Sequence, residues 1–290
     1  MRVDSETKLL GIFGHPVRHS LSPRMHNAAF EHLGLKYCYL AFDVDPSRLS
    51  EAVAAIRALN MLGANVTIPH KVEIIKFLDE LSRDARLMGA VNTIHNRDGV
   101  LTGYNTDGCG MLEALEKEAG FVPADKKAVV IGAGGAARAA CVSLLTSGAR
   151  EVVIINRTEE KAFQLRDHIS SLMDTSGADL GRADLGRVAA AGLEELPGAL
   201  EGADLLVNAT SVGMHGDESI IEDASLVSPG MVVCDFVYRP TLTRFLEIAK
   251  SRGAKAVSGT SILLYQGVQA FAIWTGMEAP VEVMRRALLS

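Results

Sequence analysis

Val129-Val130-Ile131-Gly132-Ala133-Gly134-Gly135-Ala136-Ala137 is the stretch that decides the fold. Three apolar residues run into a G-x-G-x-x-A turn, and a helix-forming segment follows to Ala149. The first Gly permits a tight turn. The second lets the backbone approach a pyrophosphate, and the small third residue lets helix and strand pack closely. The helix start then offers N–H groups and a positive dipole end to phosphates. Gly132, Gly134, Gly135, Ala136 and Ala137 are therefore candidate dinucleotide ligands. The next strand, 151–156, ends in Asn156-Arg157-Thr158. No carboxylate stands there to accept from a ribose 2′-hydroxyl, and Arg157 offers a planar cationic fork to a 2′-phosphate. NADP is favoured over NAD, and Arg138 is placed to add to the same pocket.

Working outward, the chain alternates strand and helix. Before the turn, strands are expected at 9–14, 37–44 and 63–69. Helices are expected at 22–34, with Ser22 as N-cap and Pro23 at the first helical position, at 46–60, and through 71–88. Arg97-Asp98-Gly99 marks a hairpin. This βαβ grammar predicts a parallel sheet. After the turn, strands are expected near 188–190 and at 203–209, 231–237 and 254–257. Helices are expected around 241–252 and from 261 onward. The boundary between the halves falls between Asp107 and Lys126. Segment 171–187 carries a tandem Ala-Asp-Leu-Gly-Arg, which reads as an exposed insertion because two five-residue copies cannot build a solenoid.

The chain's 290 residues are 48% hydrophobic and 22% charged, ordinary for a globular protein of two domains. Its formal charge of −6, without a Lys/Arg block, argues against nucleic acid and anionic membrane as partners. The four cysteines make no C-x-x-C pair, which excludes a zinc ribbon and fits a reducing cytoplasm. His15 and His19 are split by Pro16, so no metal site is expected. The N-terminus has acidic residues where a signal peptide needs basic ones. Stretch 256–277 lacks charge but is too polar to span a membrane.

Four polar strings interrupt the apolar pattern of the first half: His19-Ser20-Leu21-Ser22-Pro23, Asn65-Val66-Thr67-Ile68-Pro69-His70-Lys71, Gly89-Ala90-Val91-Asn92-Thr93 and Gly103-Tyr104-Asn105-Thr106-Asp107. Each lies at a strand end or the turn after it, the edge where open α/β sheets bind ligands. Their hydroxyls, carboxamides, Lys and Asp suit a small, highly hydroxylated molecule.

With GHPVRHSLSP, NVTIPHK, GAVNT, GYNTDG, GAGGAAR, NRT, NATSVGM, DFVYRP and FAIWTG in this order, the chain resembles the shikimate dehydrogenase family over nearly its whole length. The resemblance implies two open-sheet α/β domains with the site in a cleft between them. One is a substrate domain of residues 1–107 completed by helices in 259–290. The other is a Rossmann-type NADP domain of residues 108–258. It implies reversible NADP-dependent reduction of 3-dehydroshikimate. Ser20 and Ser22 would hold the substrate carboxylate. Thr67, Asn92 and Gln266 would bind ring hydroxyls, Asn65 would be a further substrate-binding residue, and Tyr238 would line the substrate site from the cofactor side. Lys71 and Asp107 would be the catalytic pair. Thr210, Ser211 and Met214 would sit near the nicotinamide, and Gly259 would be a further cofactor-binding residue. The family's Gly-Leu-Gly-Met-Leu reads Gly259-Thr260-Ser261-Ile262-Leu263 here, so Ile262 replaces the usual Met and Ser261 a Gly. A homodimer is allowed for. The rival readings are a dual quinate/shikimate dehydrogenase, and a non-catalytic NADP-binding sensor that should have lost Lys71 or Asp107.

Overall fold

The computed structural model describes residues 3–176 and 186–290. In chain order the elements are β1 (Lys8–Gly14), α1 (Ser22–His32), β2 (Tyr37–Asp43), α2 (Leu49–Ala58), β3 (Gly63–Val66), β4 (Glu80–Leu81), α3 (Arg83–Met88), β5 (Thr93–Arg97), β6 (Val100–Tyr104) and α4 (Asp107–Ala119). There follow β7 (Lys127–Ile131), α5 (Gly135–Thr146), β8 (Glu151–Asn156), α6 (Glu159–Ser176), β9 (Arg187–Gly192), α7 (Leu196–Leu200), β10 (Leu205–Asn208), β11 (Val232–Asp235), α8 (Arg244–Ser251), β12 (Lys255–Val257), α9 (Gly259–Thr275) and α10 (Val281–Leu289). The chain divides into two compact units, Met1–Thr106 with Leu264–Ser290, and Asp107–Leu263.

The first unit holds a six-stranded sheet of order β2-β1-β3-β5-β6-β4. β1 runs parallel to β2 and β3, as the βαβ pattern predicts, while β5, which opens the expected hairpin, is antiparallel to both β3 and β6, so the whole sheet is mixed. The hairpin that reverses the chain turns on Asp98 (φ 52°) and Gly99 (φ 89°), the left-handed pair that a two-residue turn requires. One face of the sheet buries Phe13, Leu49, Val53, Ile56, Ile94 and Leu101. The returning C-terminal segment is bound in by Trp274, whose Nε1 donates to the Ile94 carbonyl (2.9 Å).

Two local expectations fail here. Leu21, not Ser22, occupies the N-cap of α1; Ser22 is already in the helix, with Pro23 in the first turn. The helix expected through 71–88 is broken into a 3-10 turn at Glu73–Phe77, the strand β4, and α3. Asp79 explains the break, because its Oδ2 accepts from the Leu101 N–H and from Arg57 (both 2.6 Å) and draws the chain onto the sheet edge. Ser82 then restarts the helix by accepting from the Ala85 N–H (3.2 Å).

The second unit has an all-parallel sheet of order β12-β11-β10-β7-β8-β9. The chain enters at β7 and winds one way through β8 and β9, then the other way through β10 to β12. The order reverses between β7 and β10, the switch point where such sheets bind ligands. Val129, Ile131, Val153, Ile155, Leu206, Val233 and Phe245 fill its core. Of the segment 171–187, expected as an exposed insertion, residues 171–176 finish α6 and Arg187 opens β9. Residues 177–185, with most of the tandem motif, lie outside the described residues. Among the described residues no helix is long and apolar enough to cross a membrane.

Candidate active site

In the first unit the candidate residues gather at one sheet edge. β1 and β3 run parallel and end at Gly14 and Val66, while antiparallel β5 begins at Thr93 opposite both Asn65 and Tyr104. Strand geometry therefore delivers Asn65, Thr67, Asn92 and Thr106 to the same end. Asn92 Nδ2 donates to Thr106 Oγ1 (2.9 Å) and reaches Gln266 Oε1 (3.4 Å). Asn92 Oδ1 accepts from the Thr106 N–H (2.8 Å) and from Thr93 Oγ1 (3.0 Å). The cluster is buried and so is Gln266, which α9 carries in from the far end of the chain. Unpaired polar groups are costly at such depth, so this network fixes each carboxamide's orientation.

Asn65 is committed inward. Its Nδ2 donates to the Asn92 carbonyl and to Thr93 Oγ1 (both 3.0 Å), and its Oδ1 accepts from the Tyr39 hydroxyl (2.6 Å). Both amide hydrogens are used, which leaves it one oxygen lone pair for a ligand. Thr67 and Lys71 are half-buried in the turn after β3. The Lys71 carbonyl accepts from the Val91 N–H (2.8 Å), which ties this turn to the one bearing Asn92. Ser20 and Ser22 stand together at the start of α1, where Ser20 Oγ accepts from the Ser22 N–H (3.3 Å).

Asp107, the first residue of α4 and buried, belongs to the second unit. In that unit the Gly-rich turn has the shape a dinucleotide needs. Gly132 has φ 124°, and a Cβ there would meet the Ala209 carbonyl oxygen at 2.8 Å. Around a Cβ at Gly134 nothing lies within 4 Å, which leaves open space before the helix. Gly134 is the N-cap of α5 and supplies no capping side chain, so first-turn N–H groups at Gly135 and Ala136 face outward. Ala137 is fully buried, the close-packing position. At the end of β8, Asn156 Nδ2 donates to the Thr158 carbonyl (2.8 Å) and shapes a turn from which Arg157 projects, exposed. Arg138 is half-buried, and desolvation lowers its guanidinium pKa. These features fit an NADP molecule.

After β10, Thr210 and Met214 are half-buried and Ser211 is exposed. Tyr238 is half-buried after β11. Gly259 is explained by packing: a Cβ there would lie 2.5 Å from the Val237 carbonyl oxygen. Ile262 is buried. Tyr39, Asn208, Asp235 and Thr243 are buried polar residues that were not singled out as site residues; a polar side chain closing an apolar strand was the signal for two of them.

Family models match three consecutive stretches: the shikimate dehydrogenase substrate binding domain (12–94), shikimate/quinate 5-dehydrogenase (114–227) and the shikimate 5′-dehydrogenase C-terminal domain (259–289). A shikimate dehydrogenase (NADP(+)) of Methanopyrus kandleri is 49% identical over 289 residues, 99% of this chain and 97% of its own. The chain belongs to the shikimate dehydrogenase family. Two solved structures of the family are similar throughout. A shikimate dehydrogenase in complex with NADP+ has a TM-score of 0.88 at 45% identity, over 99% of this chain and 96% of that one. The Thermus thermophilus enzyme with NADP(H) and shikimate has a TM-score of 0.84 at 37% identity, over 98% and 99%.

Proposed function

We propose that this protein is an NADP-dependent shikimate dehydrogenase that reduces 3-dehydroshikimate reversibly to shikimate. The observation that carries the reading is the buried Asn92–Thr106–Gln266 network beside the Lys71 turn, in a chain whose curated relatives are named for this reaction and for NADP(+). A sensor without catalysis has no use for Lys71 and Asp107, and both are kept. The substrate is bound by the first unit and NADP by the second.

When bound, the cofactor supplies the hydride. Asn92 and Gln266 orient the ring hydroxyls, because their mutual hydrogen bonds leave only particular donors and lone pairs facing outward. Thr67 adds a hydroxyl, and Ser20 and Ser22 take the carboxylate through theirs. Lys71 donates a proton to the ketone oxygen, and its positive charge stabilises developing alkoxide. Asp107 is the second member of the catalytic pair. Asn65 offers the substrate at most its one remaining oxygen lone pair, and its other bonds brace the Asn92 backbone against Tyr39. Arg157 binds the 2′-phosphate as a charged fork. Cys38, Cys141 and Cys234 are free thiols, which supports a cytoplasmic setting.

The deciding experiment follows NADPH absorbance with 3-dehydroshikimate, then with 3-dehydroquinate, then with NADH. Shikimate has a flat ring end at its carboxylate. Quinate is tetrahedral there and brings an extra hydroxyl that a Ser20/Ser22 clamp leaves unpaired, at about 1–3 kcal/mol, roughly 5- to 150-fold in kcat/KM. A quinate rate within threefold of the shikimate rate would establish dual specificity instead.

A further inference from the structure

One buried carboxyl ties together the two strand-end turns that carry Thr210, Ser211, Met214 and Tyr238. Asp235 ends β11, and Asn208, opposite it in register, ends β10. Both are fully buried. Asp235 Oδ1 accepts from Asn208 Nδ2 and from the Val237 N–H (both 2.9 Å), and its Oδ2 accepts from Thr243 Oγ1 (2.6 Å). Asn208 spends its remaining groups on the next turn: Oδ1 accepts from the Thr210 N–H (3.0 Å) and hydroxyl (2.8 Å), and Nδ2 donates to the Val212 carbonyl (3.2 Å). Thr243 in its turn caps α8 through the Leu246 N–H (3.3 Å).

We infer that Asp235 is a positioning residue for hydride transfer, holding the 210–214 turn and the 237–243 segment as one rigid piece. This rests on the functional reading and on the family resemblance behind it, which implies Thr210, Ser211 and Met214 near the nicotinamide and Tyr238 lining the substrate site from the cofactor side. The strands themselves need no such group, since Leu205–Val207 and Val232–Cys234 are buried apolar residues already paired in the sheet. Every side-chain hydrogen bond of Asp235 and Asn208 beyond their mutual one goes to the segments that follow the strands. Burying a carboxyl is expensive, and its pKa is pushed up to about 6 by desolvation despite three donors. That cost secures turn geometry alone. The phosphate end of NADP belongs to other turns, at Gly132–Ala137 and Asn156–Thr158. Loss of the tie therefore degrades the reaction more than cofactor capture, as small misplacements of reacting groups do.

The test measures kcat, the KM for NADP+, and the isotope effect from NADPH deuterated at the transferred position, for wild type, Asp235→Ala and Asp235→Asn. Asp235→Ala is expected to lose about 10- to 100-fold in kcat, with the KM for NADP+ within about fivefold and a larger isotope effect. Asp235→Asn keeps Oδ1 as acceptor and turns the Thr243 hydroxyl into one, so it should recover most of kcat. A folded Asp235→Ala with kcat within twofold of wild type overturns the inference. So does an Asn variant as impaired as the Ala variant. If Asp235→Ala does not fold, Asn208→Ala, which leaves the carboxyl two of its donors, carries the same expectation and the same refutation. A wild-type protein inactive on shikimate would instead sink the functional reading.

Discussion

The Tyr39 hydroxyl donates to Asn65 Oδ1 at 2.6 Å, and both residues are buried. Through Asn65 this bond reaches the Asn92 backbone carbonyl and, by way of the Thr93 hydroxyl, the Asn92 carboxamide, so a tyrosine on the edge strand braces the substrate-side network.

Tyr39→Phe keeps the ring and removes the donor. Asn65 Oδ1 is left unpaired in the interior, at a cost of about 1–3 kcal/mol. Urea unfolding should show a loss in that range, and the KM for shikimate should rise more than the KM for NADP+. Unchanged stability together with unchanged KM would show that the hydroxyl has no such role.

His26 lies against Tyr39 (ring centroids 4.7 Å) and Trp274 (5.3 Å), and neither ring nitrogen has a hydrogen-bond partner. Burial pushes its pKa down to about 3. The unfolded chain binds a proton at this residue below about pH 6.5 and the folded one does not, so stability rises with pH in the interval between. Its contribution is whole above pH 6.5 and falls by about 1.4 kcal/mol per pH unit on acidification. His26→Phe should flatten the pH dependence of unfolding between pH 4 and 6. If the slope is the same in both proteins, His26 is not the group responsible.

Lys71→Ala should cut kcat by roughly 10²–10⁴-fold, the usual worth of a positioned acid–base group. Asp107→Asn should lower kcat as well. Steady-state rates near wild type in Lys71→Ala would remove that residue from the mechanism.

Arg157→Ala should weaken NADPH by about 1.5–3 kcal/mol and leave NADH nearly untouched, since only NADPH carries a 2′-phosphate. Calorimetric titration with both cofactors decides it. Equal losses would make Arg157 a support of the β8 turn and nothing more.

What was legible in the amino-acid sequence was whatever has a short-range physical cause. The Gly132 turn needs φ 124° and a close carbonyl, so it announces itself as glycine. The Asp98-Gly99 hairpin is legible for the same reason. The mixed first sheet was not, because whether β5 runs with or against β3 depends on pairing between distant segments. Nor was the break in 71–88, where Asp79 answers to Arg57 and Leu101 and to nothing nearby. The site divides in the same way. Lys71 and Asn92 stood out inside recognisable motifs and Gln266 in the helix that ends in FAIWTG, whereas Tyr39 and Asp235 act through partners elsewhere in the chain.

The division of the chain has a consequence for its synthesis. The first unit is made of Met1–Thr106 and Leu264–Ser290, with α10 packed on α1 and Trp274 bonded to Ile94. Until Leu264–Ser290 has emerged from the ribosome, the nascent first unit lacks the helix that covers His26 and the glutamine that completes its polar network. The second unit, contiguous from Asp107 to Leu263, has all its residues available earlier. The half translated second is thus the half that can finish folding first, and the substrate-side residues become competent only once Leu264–Ser290 is free of the ribosome.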